Sequence, residues 1–114
     1  MEKDNYLYLE HILSCVDKII SYTTNITQQD FFENELLQDG VIRNLEVIGE
    51  ATKKISLNFR NEHNNIAWKD IAGMRDILIH DYFGVDMSAV WNTIKIDIPD
   101  LKKKVETIIE AKNL

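Results

Sequence analysis

The sequence predicts an all-α fold, an antiparallel helical bundle of four to five helices. Apolar residues recur every three or four positions through several long segments, which is the spacing of one helix face. No segment shows the sustained alternation between hairpin turns that is typical of strands. The chain has 114 residues, 45% of them hydrophobic and only one of them Pro, so we expect one core and a single domain over residues 1–114.

Two helices are expected before the middle of the chain. Asp4 is a suitable N-cap for the first, whose stripe consists of Leu9, Ile12, Leu13, Val16, Ile19 and Ile20. The pattern ends at Thr23-Thr24-Asn25. Thr27 and Asp30 then resemble a capping box for a short helix that carries Phe31 and Phe32.

The central helix has the clearest pattern. Three-four spacing through about six turns predicts one uninterrupted helix with the stripe Leu37, Val41, Leu45, Ile48, Thr52, Ile55 and Phe59. Gly49 costs this helix about 1 kcal/mol relative to Ala, so we expect another helix backbone to approach closely there. Glu46 and Glu50 are interpreted as part of a solvated face, with Glu50 pairing with Lys54 four residues later.

The second half of the chain predicts two more helical elements after an exposed polar loop at residues 60–65. A helix over residues 75–82 follows the lead-in 68–74, with Ile71, Met74, Ile77 and Leu78 on its apolar side. The last element begins after the N-cap Asp86 and continues past Pro99, either as a kinked helix or as two nearly collinear helices. Its stripe consists of Met87, Val90, Trp91, Ile94, Ile98, Leu101, Val105 and Ile108.

Charge and composition exclude several classes of protein. The formal net charge of -6 has the wrong sign for a broad basic surface that grips nucleic acid, so RNA chemistry would need a local positive pocket. The single Cys15 cannot form an intrachain disulfide or a Cys-rich metal site. No apolar run approaches the roughly 20 residues that span a bilayer. We therefore expect a soluble, cytoplasmic protein without a membrane partner.

Chemistry-bearing residues concentrate around one of the three histidines. His11 and His63 are interpreted as structural or surface residues, whereas His80 lies in the segment Arg75 to Tyr82. Asp76 precedes His80 by four residues and can orient its imidazole. Arg75 and His80 lie about 140° apart on an ideal helix, so they converge only through the long arginine side chain or a distorted helix end. Spacing alone leaves open a polar helix face with a capping histidine.

Cleavage of RNA by its own 2′-hydroxyl would use these groups. The reaction requires a base for the hydroxyl proton, an acid for the leaving oxygen and a cation for the phosphate. Histidine can be acid or base, and the arginine fork suits a phosphate. Because one His80 cannot conveniently do both jobs, a two-fold dimer would bring two copies of His80 and Arg75 to one phosphate.

The ordered residues carry a family resemblance. Arg75, His80 and Tyr82 match the R-x-x-x-x-H-x-Y signature of the HepT-like toxins, small helical proteins of the HEPN superfamily. Residues 43–51 resemble the central-helix motif of that family, and residues 68–74 resemble its lead-in. Residues 82–86, with Trp91 and Pro99, resemble its tail, so the resemblance extends from about Val41 to Leu101.

The resemblance implies an all-helical homodimer that acts as a metal-independent endoribonuclease without a cofactor, the toxin of a type VII toxin-antitoxin pair. Arg75 and His80 would be catalytic, Asp76 would support them, and no residue would bind a metal. An MntA-like nucleotidyltransferase antitoxin would transfer AMP to Tyr82, and the two proteins could form a hetero-oligomer. An AMP group at Tyr82 would put negative charge and bulk where the substrate phosphate must bind.

Two other functions remain open from the sequence. The chain could be a non-catalytic HEPN module that binds nucleotide or serves as the interaction partner of a nucleotidyltransferase, which would suit its acidic surface. It could also be a plain helical scaffold. Replacement of Arg75, His80 and Tyr82 distinguishes these cases, because only the scaffold tolerates all three changes.

Overall fold

The computed structural model of the chain is all-α, as the sequence predicts. The structure describes residues 2–80 and 84–113, with residues 2, 3, 79 and 80 described through the backbone alone. Those two ranges contain no strand and no helix that is long and apolar enough to cross a membrane. The elements in order are α1 (Glu2–Thr23), α2 (Gln28–Glu33), α3 (Glu35–Lys54), α4 (Leu57–Glu62), α5 (Trp68–His80), α6 (Met87–Asn92), a π-helical segment (Thr93–Asp97) and α7 (Ile98–Lys112).

Helix α1 packs against both α3 and α7 and runs antiparallel to each. Near its start, the side chain of Asn5 bonds to Ser56, which directly follows the end of α3. Near its other end, Asp17 forms an ion pair of 3.0 Å with Lys102 in the first half of α7. Helix α5 packs on α3.

The predicted apolar stripes form the core. Leu9, Ile12, Val16 and Ile19 of α1 are fully buried, whereas Leu13 and Ile20 lie half-buried at the edges of the same stripe. The stripes of the central and last helices are buried in the same way, at Val41, Leu45, Ile48, Val105 and Ile108 among others. Burial of these faces against α1 is the main stabilising term of such a bundle.

The central helix is shorter than the sequence predicts. It ends at Lys54, Ile55 is extended, and Ser56 caps α4 by accepting a hydrogen bond from the Phe59 amide. Asn5 stabilises this break, because its buried side chain bonds to both the backbone and the hydroxyl of Ser56. Phe59 remains buried from α4, which explains why the apolar spacing continues through the break.

Other helix ends differ from the predictions or confirm them. Residues 60–62 belong to α4, so the predicted loop at residues 60–65 is helical in its first half. Asp4 lies inside α1, which begins at Glu2, and the prediction of Asp4 as the N-cap is wrong. The capping box of Thr27 and Asp30 is confirmed, as is the N-cap Asp86, which accepts from the amide of Ser88.

The sequence left open whether the last element is a kinked helix or two nearly collinear helices. In the structure, α6 and α7 are joined without a gap by a π-helical segment. The backbone angles of Asn92, Thr93, Asp97 and Ile98 are right-handed helical, while hydrogen bonding widens to the π pattern over Thr93–Asp97. Pro99 occupies the first turn of α7. In a continuous α-helix, proline cannot donate a hydrogen bond to the preceding turn, and its ring clashes with the carbonyl there. The wider turn accommodates the proline, so α6 and α7 continue into one another.

Helix α5 crosses α3 at Gly49. A Cβ added at Gly49 would overlap the Cβ of Arg75 and lie 3.2 Å from the carbonyl oxygen of Ile71. The predicted close approach of another helix is therefore confirmed. The outer side of α5 differs from expectation, because Ile77 was placed on its apolar side and is instead 64% exposed.

Replacing Gly49 by Ala should destabilise the fold by about 1–3 kcal/mol, the usual cost of overpacking between fixed backbones. The matched control is Gly40→Ala in the same helix, where an added Cβ would lie 3.6 Å from the Tyr22 ring, an ordinary contact. That control should be neutral or stabilising by up to about 1 kcal/mol. Urea unfolding of both variants measures the difference, and equal stability of the two would contradict the assigned role of Gly49.

Candidate active site

The side chain of Arg75 leaves α5 directly at the crossing with α3. Because Gly49 has no side chain, the Cβ and Cγ of Arg75 occupy the space above it. The arginine stem is thereby enclosed, while 30% of the side chain stays exposed to solvent. The fold thus fixes the base of the side chain and leaves its charged end accessible.

Carboxylates from both helices contact the guanidinium. Its Nε lies 3.0 Å from Oε2 of Glu50 in α3, and its Nη1 lies 3.3 Å from Oδ1 of Asp76 in α5. The same Asp76 oxygen accepts a hydrogen bond of 2.5 Å from Nζ of Lys53. These four residues form a network of two cations and two anions across the helix crossing, which we call the Arg75 network.

Lys53 keeps Asp76 ionised within this network. Its hydrogen bond lowers the pKa of the Asp76 carboxyl, burial opposes the shift, and the hydrogen bond from Arg75 adds to it. The carboxylate is therefore a permanent acceptor at neutral pH. The structure describes the contacts of Asp76 with Lys53 and Arg75, and its predicted supporting role in catalysis stays a prediction.

The other two signature residues, His80 and Tyr82, follow Arg75 in the sequence by five and seven positions. His80 is the last residue of α5 and follows Asp76 by one turn, but its side chain lies outside the described part, so its contact with Asp76 stays a prediction. Tyr82 also lies outside the described residues. Arg75 is the signature residue whose side-chain surroundings are described.

An open groove of about 340 Å³ runs between α1 and α3 beside the Arg75 network. We call it the α1–α3 groove, and its lining consists of Tyr8, His11, Arg43, Glu46, Val47, Glu50, Ala51, Lys54 and Arg75. His11 faces this groove, whereas His63 is the C-cap of α4 and its ring packs against Phe59, with centroids 4.5 Å apart and the planes tilted by 44°. The structural interpretation therefore fits His63 better than His11.

Two members of the Arg75 network were missed in the sequence. Glu50 was expected to pair with Lys54 along the helix, but it pairs with Arg75 across the crossing. Lys53 was not singled out at all. Gly49 was the residue that could have pointed to both, because a helix that packs on this glycine also lies close to the residues that follow Gly49 in α3. In the described ranges, no group of three or more His, Cys, Asp or Glu residues could hold a metal ion.

The all-α fold agrees with that of a HepT-like protein. A family model described as Ribonuclease HepT-like matches residues 12–108, and the chain belongs to this family. The resemblance predicted from the signature residues is thereby confirmed.

Individual relatives match nearly the whole chain. A "Gamma-glutamylcyclotransferase and putative RNase" of Methanocaldococcus jannaschii is 49% identical over 110 residues, and the chain spans 50% of that relative's length. A "Putative RNase" of the same organism is 47% identical over 109 residues, 96% of this chain and 94% of that protein. A "Probable ribonuclease HepT" of Thermococcus cleftensis is 44% identical over 108 residues, 95% of this chain and 98% of that protein. No solved structure matches the chain.

Replacing Lys53 by Met should raise the pKa of Asp76 toward its ordinary value, because the principal contact that lowers it is lost. A lowered pKa in the folded state stabilises the protein above the pKa of the unfolded chain, and this contribution disappears as pH falls through the folded value. The variant should therefore lose less stability than the wild type on acidification through that range. Carboxyl-carbon NMR titration measures the pKa directly.

Lys54→Met is the matched control for this titration, since Lys54 is the adjacent lysine and lies outside the Arg75 network. It should leave the Asp76 titration where it is in the wild type. An unchanged Asp76 pKa in Lys53→Met would show that the hydrogen bond of 2.5 Å does not govern this carboxyl.

Proposed function

We propose that the chain is an endoribonuclease that needs no metal ion and is the toxin of a type VII toxin-antitoxin pair. The observation that carries the proposal is the placement of Arg75, fixed by Glu50 and Asp76 and still 30% exposed, five residues before His80. Membership in the Ribonuclease HepT-like family and the names of the three relatives support ribonuclease activity.

The reaction is an internal attack on the RNA backbone. A His80 imidazole takes the proton of a 2′-hydroxyl, the oxygen attacks the adjacent phosphorus, and the bond from phosphorus to the 5′-oxygen breaks. A protonated imidazole gives a proton to that leaving oxygen, so the products are a 2′,3′-cyclic phosphate and a free 5′-hydroxyl. Arg75 stabilises the charge that grows on the other phosphate oxygens.

Substrate binding requires an exchange of partners at Arg75. The guanidinium contacts Glu50 through Nε and Asp76 through Nη1, so an incoming phosphate competes with carboxylates for a cation that is already aligned. Asp76 retains Lys53 as a partner when Arg75 turns to the phosphate. Glu50 loses its arginine partner but is 46% exposed to solvent, so the exchange leaves no buried charge unpaired and its cost stays low.

The outer face of α5 supports a homodimer. Gly73 has no atom within 4 Å of an added Cβ, and Ile77, one turn later, is 64% exposed. Helical spacing puts position 80 on the same side as these two residues. A second copy packed on this face would cover the exposed isoleucine and bring two His80 residues together, one as base and one as acid.

Modification of Tyr82 is the proposed control of this activity. The resemblance assigns Tyr82 as the acceptor of AMP from an MntA-like nucleotidyltransferase antitoxin. Tyr82 follows His80 by two residues, so a phosphodiester there would add negative charge close to the end of α5. That charge would repel the RNA phosphate that Arg75 has to bind.

The purified protein should cut labelled total and transfer RNA in EDTA, and His80→Ala and Arg75→Ala should abolish cutting. His63→Ala is the matched control, because His63 caps α4 away from the site and should leave the activity at the wild-type level. Mapping of the products should show cyclic phosphate ends. Cutting that survives His80→Ala would contradict the proposal.

The intact mass of the purified protein shows why a preparation does not cut RNA. An addition of about 329 Da, an AMP group less water, that disappears in Tyr82→Phe would mean that the sample is modified at Tyr82. An unmodified, folded protein that binds RNA without cutting it would replace the enzyme by the alternative, a non-catalytic nucleotide-binding or interaction module.

Ile77→Glu should convert the dimer to a monomer and abolish cutting, because a carboxylate would be placed in the proposed interface. Ile96→Glu is the matched control, since Ile96 is an equally exposed isoleucine at 66% on the π-helical segment. Light scattering after gel filtration measures the mass of each variant. A dimer that persists in Ile77→Glu, or that dissociates only in Ile96→Glu, would contradict the assigned interface.

A further inference from the structure

We infer that the α1–α3 groove binds a single-stranded segment of the RNA next to the cut, with one base against Tyr8. This inference rests on the proposed ribonuclease function, which it extends to a second region of the surface. The carrying observation is the combination of an aromatic wall on α1 with cations along α3, in a groove whose lining includes Arg75.

The aromatic wall consists of two rings on adjacent turns of α1. The Tyr8 ring is half-buried and its centroid lies 6.3 Å from that of His11, with the two planes 73° apart. Nζ of Lys54 lies over one face of the Tyr8 ring, 5.9 Å from its centroid. Proteins stack unpaired bases on aromatic rings, and neighbouring cations add to the attraction.

The charges of the groove suit a phosphodiester backbone. Its lining contains three permanent cations, Arg43, Lys54 and Arg75, against the two carboxylates of Glu46 and Glu50. Both carboxylates already have arginine partners, Arg43 at 3.8 Å from Glu46 and Arg75 at 3.0 Å from Glu50. The groove therefore has a positive surplus, although the whole chain carries a net charge of -6.

A second groove of about 270 Å³ provides the contrast. It lies on the side of α5 that faces α7, and its charged lining consists of Asp70, Asp97, Asp100 and Lys104. Lys104 there is already paired with Asp100 at 3.0 Å. Three carboxylates against one lysine repel phosphate, so electrostatics select the α1–α3 groove for RNA.

The length of the groove indicates a strand rather than a mononucleotide. Arg43 and Lys54 are eleven residues apart on α3, which corresponds to about 16 Å along the helix. A single nucleotide is shorter than this span and does not reach both residues and the Tyr8 ring unless their side chains bend toward one another. A strand of several nucleotides can, with its scissile phosphate at Arg75.

Binding is tested separately from cutting in a His80→Ala background, with a fluorescent single-stranded oligoribonucleotide of about ten nucleotides. Adding Tyr8→Leu should weaken binding by roughly 5-fold to 150-fold, the usual loss for one stacked base, and Tyr8→Trp should restore it. Tyr22→Leu is the matched control, because Tyr22 is an exposed tyrosine of α1 that does not line the groove, and it should leave affinity unchanged. Thermal melting confirms that each variant is folded.

Salt dependence tests the cations. Arg43→Gln and Lys54→Gln should each reduce the slope of log affinity against log salt by about 0.7, the value for one contact with a single strand. Lys103→Gln on the exposed side of α7 is the control and should leave the slope unchanged.

The outcomes separate this inference from the proposed function. If cutting requires His80 but neither binding nor KM changes in Tyr8→Leu, the proposed ribonuclease function holds and the proposed RNA-binding role of the α1–α3 groove is wrong. Binding that depends on Tyr8 in a protein that does not cut would keep the groove and overturn the enzyme. Competition by AMP at the same concentration as the oligoribonucleotide would show a mononucleotide site and would also overturn the inference.

Discussion

The structure of the site depends on one close approach, that of α5 to α3 at Gly49. Any side chain at this position would meet the Cβ of Arg75 and the carbonyl oxygen of Ile71. Because the helices touch here through backbone and Cβ atoms, their separation is set by van der Waals contact between these atoms rather than by flexible side chains. Both described ion pairs of the Arg75 guanidinium depend on this separation, since Glu50 belongs to α3 and Asp76 to α5.

The Arg75 network also determines how strongly the cation attracts an anion. Two carboxylates contact the guanidinium, but Lys53 shares Asp76 and therefore leaves less of that negative charge at Arg75. The arginine is held in one orientation while keeping part of its positive potential. Partial exposure weakens each ion pair in water, so a phosphate with two oxygens can replace a carboxylate without a large desolvation cost.

Much of the fold was predictable because burial follows helical spacing. The stripes on α1, α3 and α7 were identified correctly, since a residue of a stripe is buried whichever helix covers it. The break at Ile55 was not predictable from α3 itself, because it is stabilised by Asn5, fifty residues earlier. Apolar spacing also cannot distinguish a face that packs within the chain from one that a second copy would cover, which is why Ile77 was placed on the apolar side of α5.

The sequence predicted the site only as far as the relations between residues of one helix. The spacing of Arg75, Asp76 and His80 on one helix was readable, because local geometry fixes it. The pairing of Glu50 with Arg75 was not, because an i,i+4 rule finds partners on the same helix and gives Lys54 instead. Gly49 was the one residue that marked a crossing in advance, although it did not identify the crossing helix.

An acidic chain can attract RNA only if its positive charges are gathered where the strand lies. Helix α3 carries Arg43, Lys53 and Lys54 on the side that meets α1 and α5, and Arg75 adds a fourth cation there against the carboxylates of Glu46, Glu50 and Asp76. The carboxylates on the α7 side of α5 have the opposite effect, because they lower the potential of the groove next to Asp70 and Asp97. In the proposed function, this distribution of charge keeps RNA away from the α7 side of α5 and directs it to the side that holds Arg75.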